Sequence, residues 1–73
     1  MMDFGQALTA LKDGARLARC GWNGKNMFIE LQRPDSKSKM TQPYVYICTA
    51  QGDLIPWVAP HSDLLAQDWL IVE

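Results

Sequence analysis

The spacing of apolar residues changes period along this chain, and the change divides it into elements. Phe4, Ala7, Leu8 and Leu11 fall at i, i+3, i+4 and i+7, one face of an α-helix. Asp3 precedes them with Gln6 three residues on, so an acid stands where a capping box usually has Ser or Thr. Lys12 complements the negative end of that helix and Gly14 offers a stop. The pattern predicts a short amphipathic helix over residues 3–13.

Beyond Gly14 the period shortens toward two. Ala15 to Arg19 mixes small or apolar residues with basic ones and reads as a short strand. The string Gly21-Trp22-Asn23-Gly24 interrupts it, with Asn-Gly expected to supply the positive φ of a tight turn. Met27 to Gln32 is the next strand, with Phe28, Glu30 and Gln32 on one face and Met27, Ile29 and Leu31 on the other. Arg33 to Pro43, with its prolines, serines and three cations, predicts a solvated loop and the most mobile segment. Tyr44 to Thr49 is rich in aromatic and β-branched residues, a strand signal. Its face carrying Tyr44 and Tyr46 suits either a core or a subunit interface. Gln51-Gly52-Asp53 should close a hairpin onto Leu54-Ile55-Pro56-Trp57, which ends at Pro56 or lies at an edge because proline cannot donate to a ladder. Ser62 reads as the N-cap of a helical turn over 63–67, and 68–72 as a closing strand. Together these predict one α+β domain over 1–73: a small, mostly antiparallel sheet with an N-terminal helix and a short C-terminal helical turn.

Length adds a constraint that the pattern does not. A chain of 73 residues buries only about 60% of its unfolded surface, so a small scaffold usually needs a further staple. Cys20 and Cys48 could pair, but no basic region followed by an apolar one marks a secreted chain. Two free thiols in a reducing cytosol are the better expectation. His61 is the single histidine and no Cys-x-x-Cys occurs, so a metal is not expected. Self-association is the staple that remains. Seven basic against eight acidic residues give no basic stripe for polymeric nucleic acid. No apolar run approaches the roughly 20 residues that cross a bilayer. The expectation is a cytosolic homo-oligomer with no cofactor.

Candidate chemistry concentrates near the tryptophans. Trp22 lies in a turn beside Asn23 and Lys25. One reading is a hairpin whose indole folds over the core. The other is an indole face, an amide and a cation gathered for a nucleotide, with Lys25 near a phosphate. His61-Ser62-Asp63 begins a helix, where free N–H groups favour phosphate; Asp63 would repel one and suits ribose hydroxyls instead. Trp69, between Asp68 and Leu70, reads as core. Cys20 or Cys48 with His61, or His61 with Asp63 or Asp68, lack the spacing of a catalytic pair, so binding is expected rather than catalysis.

The strings Asp3-Phe4-Gly5-Gln6-Ala7-Leu8, Lys12-Asp13-Gly14, Gly21-Trp22-Asn23-Gly24-Lys25, Pro56-Trp57 and Ser62-Asp63-Leu64-Leu65-Ala66-Gln67-Asp68-Trp69 occur in that order. They resemble a family of small phage and prophage proteins, some of which are the second-type Thoeris anti-defence sponges. The resemblance covers nearly the whole chain apart from 33–43. It implies a phage protein of the host bacterial cytosol that binds glycocyclic ADP-ribose, the signal made by TIR-domain enzymes. Such a protein holds the signal without cleaving it, so that the effector stays off; some members also capture cyclic dinucleotides. It further implies a homotetramer with ligand pockets between protomers. Carried onto this chain, the matching positions are Trp22, Asn23, Trp57, Ser62, Asp63 and Asp68, joined by Lys25 of the same turn. Trp22 would stack on the purine, Asn23 would bond a base edge or ribose, and Ser62 and Asp63 would bond hydroxyls. Phe4, Leu8 and Leu11 would form the helix face that meets a neighbouring subunit. The rival reading is a small phage protein-interaction module that inhibits a host protein by direct contact, its tryptophans being interface hot spots.

Overall fold

The computed structural model describes residues 1–72. Helix α1 spans Phe4–Lys12, followed by strands β1 (Arg16–Arg19), β2 (Phe28–Gln32), β3 (Tyr44–Cys48) and β4 (Leu54–Pro56), the short helix α2 (His61–Leu64) and strand β5 (Trp69–Val72). The strands form one antiparallel sheet in the order β4-β3-β2-β1-β5. The chain is therefore α+β, as its pattern predicted.

Helix α1 begins as expected. The Gln6 amide donates to Asp3 Oδ1 at 2.8 Å and the Asp3 amide donates to Gln6 Oε1 at 3.1 Å, which completes a capping box. Its C-terminal end is closed from outside, because Arg33 Nη2 donates to the Lys12 carbonyl at 2.6 Å. The apolar face of α1 turns inward. Ala7 and Leu11 are fully buried with Leu17 of β1, Ile29 of β2 and Trp69 of β5. This corrects the assignment of that face to a neighbouring subunit: Leu11 lies in the chain's own core, and Phe4 packs on Trp57 and Trp69 with ring centroids 5.7 and 5.4 Å away. A sheet this small has one helix of any length to cover it, and burying that helix's apolar face within the chain removes it from water without help from a partner.

Two turn predictions are corrected by the structure. The connection from β1 to β2 runs from Cys20 to Met27, far longer than a two-residue hairpin turn, and its positive φ belongs to Asn26 (62°) rather than to Asn23 or Gly24. Gly24 is needed for space instead. A Cβ there would meet the Met27 sulfur and come within 2.8 Å of Ala50 Cβ, so this glycine lets the connection lie against the β3–β4 hairpin. Second, Ser62 is not the N-cap of the C-terminal helical turn. Pro60 occupies that place, its carbonyl accepting from the amides of Asp63 (3.0 Å) and Leu64 (3.1 Å). The turn thus covers 61–64 rather than 63–67, and Ser62 is exposed within it. Proline loses nothing at a cap position, where an N–H has no intrahelical partner.

The β3–β4 hairpin matches its prediction. Gly52 takes φ 90°, and Thr49 N donates to Asp53 O at 2.8 Å. Strand β4 is a sheet edge, the place where Pro56 costs no ladder bond. The sheet's second face carries Arg16, Phe28, Glu30 and Tyr46 and has no helix over it. There the Arg16 guanidinium lies 4.6 Å from the Phe28 ring centre and 3.4 Å from Glu30, and the Tyr46 hydroxyl donates to Glu30.

Candidate functional site

Alternation along β1 places Arg19 on the same face as Leu17. A guanidinium aimed at the covered side of a sheet needs carboxylates, and the chain supplies two. Arg19 Nε donates to Asp68 Oδ1 at 2.7 Å and Nη2 reaches Oδ2 at 3.4 Å, while Nη1 donates to Asp63 Oδ1 at 2.7 Å. The same carboxylates tie down the β1–β2 connection. Gly21 N donates to Asp68 Oδ2 at 2.9 Å, Cys20 N to the Asp68 carbonyl at 3.1 Å, and Trp22 Nε1 to Asp63 Oδ1 at 3.2 Å. Hydrogen bonds donated to Asp68 and then to Asp63 hold the Arg19 guanidinium above its ordinary pKa range. The Arg19 hydrogen bond, with help from Gly21 N–H and against partial burial, holds the Asp68 carboxyl below its ordinary range.

Trp69 is the centre of the aromatic packing beside this network. It is fully buried, and its Nε1 donates to the Asp63 carbonyl at 2.9 Å, so the core reading of this residue matches the structure. Trp22 and Trp57 pack edge-on against it from two sides, with centroids at 5.4 and 6.0 Å and interplanar angles of 80° and 84°. Edge-to-face contacts of this kind use the ring's positive edge against a neighbour's negative face. They also leave part of both outer indoles uncovered.

Between those outer indoles lies a cleft of about 330 Å³, lined by Trp22, Met27, Ile47, Ile55, Trp57, Val58, Pro60 and Asp63, within the range of small-molecule sites. It is mostly apolar with one carboxylate at its base. Both donors to Asp63 converge on Oδ1, leaving Oδ2 free of them. One guanidinium against two carboxylates leaves a net negative charge beneath the cleft, which favours hydrogen-bond donors there and disfavours phosphate.

The sequence-predicted residues therefore separate into groups. Trp22, Trp57 and Asp63 come together in the cleft. Asp68 sits behind it, its oxygens taken by Arg19 and Gly21. Asn23, Lys25 and Ser62 are exposed and do not line the cleft. Cys20 and Cys48 are free thiols. Among the described residues, no group of His, Cys, Asp and Glu is placed to hold a metal, and no helix is long and apolar enough to cross a membrane.

Sequence reasoning missed Arg19, the residue that joins the two acids. The signal was present: a cation two positions beyond a core leucine in a strand must face inward too. Ile47 and Ile55 were placed in strands without being linked to a site, because only the β3–β4 register sets them side by side.

The chain matches the Thoeris anti-defense 2-like domain over residues 2–72. It is 38% identical to Thoeris anti-defense 2 of Bacillus phage SP01 over 84 residues, covering 97% of this chain and 94% of that protein. A match over residues 2–72, nearly the whole chain, places it in the Thoeris anti-defense 2-like family and supports a phage anti-defence role.

Proposed function

We propose that this protein sequesters a cyclic nucleotide immune signal in the host cytosol and holds it uncleaved, so that the signal never reaches its effector. The ligand is glycocyclic ADP-ribose from TIR-domain enzymes, and the same chemistry extends to cyclic dinucleotides. The observation that carries this reading is the convergence of Trp22, Trp57 and Asp63 on one cleft. A purine has flat faces for the indoles, and a ribose has hydroxyl donors for Asp63 Oδ2. The net negative charge under Asp63 turns the phosphates outward, toward solvent, where Asn23, Lys25 and Ser62 are exposed. Asp68 acts from beneath by holding the turn.

Affinity argues for assembly. A sponge that competes at nanomolar signal needs about −12 kcal/mol of binding free energy. Base stacking supplies about 1–3 kcal/mol per base, which an open cleft on one protomer does not raise to that total. Two rim residues, Val58 and Ile55, are apolar yet 87% and 48% exposed. Covering them with a second copy closes the cleft, in keeping with a homotetramer whose pockets lie between protomers.

Calorimetry with glycocyclic ADP-ribose, and separately with cyclic di-GMP, tests the reading. Stoichiometric binding should be followed, after denaturation, by recovery of intact ligand on chromatography. Absence of heat with both ligands sinks the reading and favours the protein-interaction module; recovery of altered ligand favours an enzyme. Trp22→Ala should weaken binding at least tenfold, and an unchanged affinity removes Trp22 from the pocket.

A further inference from the structure

We propose that Arg19 is a positioning residue for the cleft: it fixes the Trp22 indole as a wall without itself touching ligand. This rests on the sequestration reading for its functional consequence, though its structural part stands alone. Arg19 does not line the cleft between the tryptophans. Its guanidinium instead joins three segments: α2 through Asp63, the residue before β5 through Asp68, and its own following turn through the Asp68 bond to Gly21.

The decisive atom is Asp63 Oδ1. It accepts from Arg19 Nη1 at 2.7 Å and from Trp22 Nε1 at 3.2 Å, so the shorter, charge-assisted bond sets where the indole's partner lies. The Trp22 ring is otherwise oriented by its edge-on packing against Trp69. Freed from Asp63, the ring can pivot on that contact, and the binding-competent orientation becomes one of several. Apparent affinity then falls by the fraction of chains that keep the wall in place.

The geometry also requires arginine. Nε and Nη2 take one carboxylate while Nη1 takes another, a planar fork that a lysine ammonium cannot reproduce. Arg19→Lys should therefore keep the charge and lose the orientation.

The test follows the Trp22 indole Nε1–H resonance in nitrogen-15-labelled protein without ligand, assigned by its disappearance in Trp22→Phe. In Arg19→Gln and in Arg19→Lys that proton should exchange with water at least tenfold faster, and affinity for glycocyclic ADP-ribose should fall about tenfold. In a Trp22→Phe background, which keeps a ring and lacks the N–H, changing Arg19 should alter affinity less than twofold. That coupling separates positioning from general support of the fold, which would weaken both backgrounds alike. Should Arg19→Gln fail to fold, the lysine variant carries the same comparison. Unchanged indole exchange in a folded Arg19 variant overturns the proposal, as does an equal affinity loss in both backgrounds. If the unaltered protein binds no cyclic nucleotide, the sequestration reading fails on its own, and indole exchange still decides what Arg19 holds.

Discussion

The two walls of the cleft are held by different physics. Trp22 is anchored mainly through polar groups: its indole N–H bonds to Asp63, and its turn is tied to Asp68 through Gly21. Trp57 is held by packing against Phe4 and Trp69, with one backbone bond from its amide to Val45 at 3.0 Å. It follows directly on β4, an edge strand whose Leu54 and Ile55 are largely exposed. Directional bonds to charged groups set an orientation, whereas apolar packing sets a position and tolerates rotation. The Trp22 wall is thus the one whose angle the chain specifies, and the Trp57 wall is the one left free to adjust.

Perturbations that strike one wall or both should separate these contributions. The largest effect belongs to Trp69, which supports the two walls at once. Trp69→Ala removes a fully buried ring and leaves the Asp63 carbonyl without its indole donor, and should cost about 4 kcal/mol in urea denaturation. A loss below 1 kcal/mol would show that Trp22 and Trp57 do not depend on it. Asp63→Ala strikes the Trp22 side alone. It leaves Arg19 with a single carboxylate and should destabilise by about 2 kcal/mol. The Phe4–Trp57 contacts should survive it, seen as unchanged nuclear Overhauser effects between those rings. Equal disturbance of both walls would show that they are not held separately.

The smallest effects are those of pH. Asp68 has a folded pKa below its ordinary 3.8, so its contribution is present above that value and is lost as pH falls through the depressed folded one. Arg19 stays charged throughout, and the Trp22 side should therefore loosen only in strong acid. Away from the cleft, Tyr46 is pushed up from 10.0 to about 12, first by its hydrogen bond to Glu30 and then by burial. A raised pKa means stability that is complete below pH 10.0 and declines as pH rises toward about 12. Tyr46→Phe should flatten that alkaline limb of the stability curve. An unaltered alkaline slope would assign it to other groups.

Much of the fold was legible because it is local. The capping box, the i, i+3, i+4, i+7 face and the Gly52 hairpin each rest on residues within a few positions, where backbone geometry dominates. Trp69 was legible as core from its place in a strand. The errors came where a local signal had a nearer competitor. Ser62 has the chemistry of an N-cap, but Pro60 ends the preceding extended stretch and its carbonyl opens the helix first. Asn23-Gly24 has the chemistry of a tight turn, but the connection is long and the left-handed residue is Asn26. The site was legible only in part. Trp22, Trp57 and Asp63 were named singly, each for its chemistry, while Arg19 was not named because its importance lies in what it joins.

By itself the sequence determined the elements, their order, the buried Trp69 and the presence of three tryptophans and of the acids Asp63 and Asp68. Only tertiary structure decided which of those side chains share a cleft. Trp22, Trp57 and Asp63 meet through strand register and through one guanidinium that draws the segment at 61–68 onto the turn after β1. Register and ion pairing act between residues distant along the chain. No local pattern carries them, because their energy is realised only when the sheet has closed and the charges have left water together.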